Sequence, residues 1–144
     1  MSDGGRLDSV SRMARRREEE AARALQASNR LVADRRRAEA LLAEAHSAQR
    51  AGLNDALDTG APGYRLKLLG ASLRTVERAL EVMREKLAAA ERERAATLSA
   101  WIATQARSKA IDNASARRRA VLRARRERAA ERDVEDRSAR PPRR

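Results

Sequence analysis

The chain has 144 residues, 38% of them charged, with a net charge of +12, and it contains one Trp, one Tyr and no Phe. This composition, dominated by Ala, Glu, Leu and Arg, predicts long helices and argues against a thick globular core, a β-sandwich or an α/β enzyme. Because the chain has no Cys, disulfide and thiolate chemistry are excluded.

The positive charge is concentrated toward the C-terminal end. Residues 1–63 hold 11 basic and 10 acidic side chains, whereas residues 116–144 hold 12 and 5. This end is expected to bind an acidic surface of protein, phosphate or lipid. The start lacks the pattern of a secretory signal, and no apolar run approaches the roughly 18 residues of a membrane span, so we expect a cytoplasmic protein.

The first predicted helix covers residues 6–57. Its apolar residues recur at helical spacing, but many are small, so the stripe buries little area and depends on a neighbouring helix. Arg15, Arg16 and Arg17 precede three Glu; they form either a solvated helix face with i,i+4 pairs or a candidate partner-binding surface. The predicted stripe consists of Leu7, Val10, Met13, Ala14, Ala21, Ala24, Leu25, Leu31, Val32, Ala38, Leu41, Leu42, Ala45 and Leu53.

A turn is predicted over residues 58–63. It contains two Gly, which accept positive φ, and Pro62, which disfavours helix at the preceding residue. The tripeptide Asp58-Thr59-Gly60 also occurs in aspartic proteases, but nothing nearby can form the strands that such a site needs, so we interpret it as turn composition.

The second predicted helix covers residues 64–138, followed by a disordered tail at residues 139–144. Seven apolar residues and Ala90 follow the strict 3,4 spacing of a coiled-coil seam. The prediction is therefore an all-α fold: a single-domain antiparallel coiled-coil hairpin, whose second helix is longer and ends in a basic overhang. The seven predicted seam residues are Leu66, Leu69, Leu73, Val76, Leu80, Met83 and Leu87.

Beyond Glu91 the seam positions become polar, and regular supercoiling is predicted to stop there. Leu98, Trp101 and Ile102 form an apolar patch out of phase with the seam, as after a stutter. Trp101 either fills the seam or anchors a partner. The Arg-rich stretch that follows is either a solvated overhang or a docking site; its candidate partner-binding residues are Arg117, Arg118, Arg119, Arg123 and Arg126.

The residues that catalysis and metal binding require are scarce. The chain has no phosphate-binding loop, no dinucleotide fingerprint and no G-x-S-x-G motif. His46 is the single His, and we interpret it as a solvated helix-face residue. No catalytic, cofactor-binding or metal site is predicted, and we expect a protein that is not an enzyme.

The two helices resemble the FliJ family of flagellar export stalk proteins. The resemblance lies in residues 6–25 with their Arg-Arg-Arg-Glu-Glu-Glu run, in Tyr64-Arg65 followed by the long seam, and in the charged close at residues 126–137. It extends to the injectisome stalk relatives, the YscO-like proteins, and leaves the flagellar and injectisome systems open.

That resemblance implies a non-enzymatic component of a type III export apparatus at the cytoplasmic face of the inner membrane. The implied partners are the hexameric export ATPase, the export gate membrane protein and export chaperones. The paired termini would enter the ATPase ring, and the hairpin end would face the gate. No small-molecule substrate is expected.

Two other interpretations remain open from the residues alone. A basic coiled coil with an Arg-rich end could bind nucleic acid as a nucleoid-associated protein, because its cations would neutralise phosphates. Against this, acidic residues are interleaved throughout and no DNA-reading motif is present. The seam could also pair two chains, giving a structural coiled coil or homodimer.

Overall fold

The structure, a computed structural model, describes residues 3–141, with side chains from residue 5 onward. It contains helix α1 (Asp3–Asp58) and helix α2 (Gly63–Ala139), and no strand occurs in the described part of the chain. The helices pack against each other, so the predicted all-α helical hairpin is confirmed. Helix α2 is the longer one, with 77 residues against 56. Of the predicted tail, residues 142–144 lie outside the described residues.

A Schellman motif ends α1. Gly60 adopts φ 70°, and its N–H donates to the carbonyl of Leu57 at 3.3 Å, while the N–H of Ala61 donates to the carbonyl of Ala56 at 2.9 Å. These bonds satisfy carbonyl groups that a helix end otherwise leaves unpaired. The carbonyl of Pro62 then accepts the first backbone hydrogen bonds of α2, so the chain reverses within four residues.

The chain divides into two compact units. Residues 20–101, which include the turn, form what we call the turn unit. Residues 3–19 of α1 with residues 102–141 form the terminal unit, as far as the structure describes it.

The core of the turn unit is a narrow seam between its two helical segments. On α2 the residues at positions 66, 69, 73, 76, 80, 83, 87 and 90 are all buried or half-buried. On α1 the 3,4 spacing is equally strict, but many of the positions are polar. The α1 residues of this seam are Ala21, Leu25, Ser28, Val32, Arg35, Glu39, Leu42, His46, Gln49, Leu53 and Ala56.

Polar side chains across this seam show that the helical segments run antiparallel. Arg94 donates to Asn29 at 2.7 Å and Arg84 to Glu39 at 3.3 Å. In each pair the two residues lie equally far in sequence before and after the turn. Only an antiparallel arrangement of constant register brings such residues together.

Two features of the seam differ from the sequence prediction. Four large residues of the predicted α1 stripe are exposed because they fall between the 3,4 positions: Val10 at 46%, Met13 at 56%, Leu31 at 38% and Leu41 at 67%. The predicted stutter in α2 is also wrong: Ile102 is 52% exposed, whereas Ser108, on the original 3,4 spacing, is 4% exposed. The 3,4 spacing thus continues along α2, where Thr104, Ser108 and Ser115 are half-buried or buried.

Candidate partner-binding surface

The seven predicted seam residues lie along one face of α2 in the turn unit. Leu80 is buried at 5% exposure, and the other six are half-buried. Among the hydrophobic residues of this unit only Val32, at 2%, is less exposed. The seam side chains are therefore turned away from solvent, and the surface available to a partner consists mainly of other residues.

The two predicted Arg clusters belong to the same compact unit. Arg15, Arg16 and Arg17 lie on α1, and the five candidates of the Arg-rich stretch lie on α2, all within the terminal unit. All eight side chains are exposed. Since the described residues of this unit hold 17 basic and 10 acidic side chains, it carries a net charge of +7. The fold thus joins two cationic segments that are far apart in sequence.

One face of the terminal unit contains polar contacts between its two helices. Ser11 donates to the carboxylate of Asp112 at 3.1 Å, and Arg15 lies 3.8 Å from the same carboxylate. Arg15 therefore pairs across the helices and not with Glu19, the i,i+4 partner that the sequence suggested. Arg119 lines a surface groove together with Arg15 and Asp112. Part of the charge on this face is internally compensated.

The Arg-rich part of α2 is almost wholly exposed. Residues 117–132, which we call the basic segment, contain eight Arg and two Glu. From residue 125 to residue 141 every described residue is exposed, including Val134 at 64%. Exposed guanidinium groups present planar donors that suit carboxylates and phosphates. The basic segment can therefore bind an anionic surface without first being uncovered.

Trp101 is the last residue of the turn unit, so it lies outside the unit that holds the Arg candidates. Its side chain is half-buried, so Trp101 is neither fully enclosed, as a residue that fills the seam would be, nor fully exposed, as a partner anchor would be.

His46 differs from its predicted role as a solvated residue. Its side chain is 24% exposed, and its Nε2 lies 3.2 Å from the carboxylate of Glu77 across the seam. A signal for this position is present in the sequence, because His46 stands on the 3,4 spacing that connects Leu42, Gln49 and Leu53. The apolar pattern alone does not reveal that His46 is a seam residue, because Glu39 and Gln49 at nearby seam positions of α1 are also polar.

The described residues contain no group of three or more His, Asp or Glu side chains placed to hold a metal ion. Along the same stretch, neither helix has a segment long and apolar enough to cross a bilayer. The candidate site is a cationic helical surface and not a cleft lined by reactive groups. This fold and this surface define a helical hairpin with exposed Arg side chains on both helices of its terminal unit.

Comparison with known families identifies the chain. Residues 2–142 match the family described as "Flagellar FliJ protein". The chain therefore belongs to the FliJ family and is a component of the flagellar export apparatus. Neither a curated protein nor a solved structure matches it. The predicted resemblance to the FliJ family is confirmed, on the flagellar side of the alternatives.

Proposed function

We propose that this chain is a non-enzymatic stalk or escort of the flagellar export apparatus, working in the cytoplasm at the inner face of the membrane. Its proposed partners are the hexameric export ATPase, the export gate membrane protein and export chaperones. The observation that supports this most directly is the terminal unit, in which exposed Arg side chains from both helices occur together.

Binding through this unit would rest on many exposed charges. Each exposed ion pair is worth only about 0.2–1 kcal/mol, so several must form at once to give a stable complex. Complementary charge also accelerates association and makes it sensitive to salt. A surface of this kind suits a large protein partner with an acidic face better than a small molecule.

The proposal is tested by charge reversal in the basic segment. The variant Arg123→Glu/Arg126→Glu should bind the purified export ATPase about tenfold more weakly and lose any stimulation of ATP hydrolysis, because two attractions become repulsions. The matched control is Arg50→Glu/Arg78→Glu, which changes the net charge equally at exposed positions of the turn unit. Equal loss in both variants, or in neither, would contradict a specific role for the basic segment.

The turn end offers a different surface, suited to the proposed contact with the export gate. Leu57, Tyr64 and Leu68 are 56%, 72% and 68% exposed there. The variant Tyr64→Ser/Leu68→Gln should reduce flagellar export in cells while ATPase binding stays unchanged, since the Arg surface is intact. Unchanged export would remove the turn end from the proposal.

Nucleic-acid binding remains a second candidate because of the exposed basic segment. If the protein retards DNA, and the logarithm of the binding constant falls steeply with the logarithm of the salt concentration, phosphate neutralisation is responsible. Binding to DNA combined with no interaction with the export ATPase would favour this candidate. DNA retardation that persists in Arg123→Glu/Arg126→Glu would exclude the basic segment as its cause.

A further inference from the structure

The terminal unit has an apolar groove on one side, distinct from its network of polar contacts. The groove has a volume of about 350 Å³ and is lined by Val10, Met13 and Ala14 of α1 and by Thr104 and Ile111 of α2. Val10 and Met13 are 46% and 56% exposed, so the groove is open to solvent along its length. Val10 and Met13 therefore offer exposed apolar surface that another molecule can contact.

Two cations flank this groove. Arg17 and Arg107 line it, and neither has an ion pair or hydrogen bond with any residue that the structure describes. On the other face of the same unit, by contrast, Arg15 is compensated by Asp112. The groove therefore has an apolar floor and two positively charged edges, neither of which pairs with a described carboxylate.

The dimensions of the groove indicate its occupant. The lining residues extend over eight positions on each helix, from 10 to 17 and from 104 to 111, a rise of about 10 Å at 1.5 Å per residue. This is two turns of helix. A third helix could lie against such a groove with apolar side chains at i, i+3 or i+4, and i+7.

We propose that this groove is a docking site for an acidic amphipathic helix of another protein. The apolar face of that helix covers Val10, Met13 and Ile111, and its carboxylates pair with Arg17 and Arg107. The site is separate from the basic segment, and it does not depend on ATPase binding. Its success or failure is therefore measured independently of the proposed function.

The test uses the full chain and a fluorescein-labelled helical peptide of about 18 residues, or five turns, with Leu on one face and Glu on the others. A scrambled peptide of the same composition has the same charge but no apolar face. Fluorescence anisotropy should show that the amphipathic peptide binds at least about tenfold more tightly than the scrambled one. Its affinity should fall as salt is raised, because carboxylates contribute.

Substitutions then locate the site. Val10→Gln/Met13→Gln should weaken binding about tenfold, since two apolar contacts are lost while Gln keeps the helix. The matched control, Leu41→Gln/Leu68→Gln, changes two exposed residues of the turn unit and should bind normally. Circular dichroism should show equal helix content in both variants. Arg17→Gln/Arg107→Gln should reduce the salt dependence.

Three results would overturn the proposal. The first is equal binding of both peptides, which would indicate attraction of any polyanion to the Arg side chains. The second is unchanged binding by Val10→Gln/Met13→Gln. The third is sedimentation that shows a dimer abolished by that same variant, because the groove would then be covered by a second copy of this chain.

Discussion

The seam of the turn unit predicts a large and local effect of truncating Leu80. This side chain is 5% exposed, so Leu80→Ala removes three carbon atoms that are almost wholly buried. At about 0.8 kcal/mol per buried carbon, the lost transfer free energy is about 2.4 kcal/mol. A seam between two helices lies close to solvent and can relax, so the cavity adds little. We expect the free energy of unfolding to fall by about 2–3 kcal/mol.

Urea unfolding followed by circular dichroism measures this effect. With a denaturant dependence of about 2 kcal/mol per M, the midpoint should fall by about 1–1.5 M. Leu68→Ala is the matched control, because Leu68 lies on the same helix and in the same unit but is 68% exposed. Its stability should change by less than about 0.5 kcal/mol.

The reasoning would be refuted by either of two results. A loss below about 1 kcal/mol for Leu80→Ala would mean that the seam contributes little to folding. An equal loss in both variants would mean that burial does not distinguish the two leucines, and that the change acts through the helix itself.

Further changes of stability follow from individual contacts, and all are measured by the same urea unfolding. Gly70→Ala should stabilise the protein by up to about 1 kcal/mol, because the added methyl group meets only Arg74 at 3.7 Å. Gly60→Ala should destabilise it by about 1 kcal/mol, because φ is 70° at Gly60. If Gly60→Ala proved the more stable of the two variants, the turn geometry would be contradicted. Ser115→Ala should stabilise by about 1 kcal/mol, since the buried hydroxyl has no hydrogen-bond partner among the described residues, and a loss of stability would show that it has one. Glu39→Arg/Arg84→Glu should recover part of the stability lost in each single variant, with a coupling energy of about 0.2–1 kcal/mol, and zero coupling would exclude their ion pair from folding.

The fold class could be predicted because the signals for it are strong and local. Leu66 and its six counterparts spell out a seam, and Gly60 with Pro62 marks the turn; together these require two helices that reverse direction. The α1 side of the seam could be recognised only in part from apolar residues, because Arg35 and Glu39 occupy seam positions between Val32 and Leu42. Their hydrocarbon stems cover the seam, and the carboxylate of Glu39 pairs with Arg84 on the other helix.

The candidate surface was predictable in composition and not in arrangement. The Arg clusters are visible in the sequence, but only the fold shows that Arg15 pairs with Asp112 while Arg17 does not pair across the helices. The helical spacing of Met13 from Val10 predicts an interior position for Met13. The helical spacing is confirmed, but Met13 lies on an exposed face of α1. Apolar residues on an exposed face and on the buried face recur with the same helical period, so the period alone does not tell the two faces apart.

The polar residues within the seam determine how the two helices of the coiled coil are aligned along their length. If the seam were all leucine, α1 could slide past α2 by seven residues and meet nearly the same side chains. Such a shift would separate Glu39 from Arg84 and His46 from Glu77, and would leave partly covered polar groups without partners. The polar seam residues bury less apolar surface than leucines would, but their cross-helix pairs form in only one alignment of the two helices. Any molecule that touches both helices of the turn unit at once therefore meets the same pairs of residues in every copy of the protein.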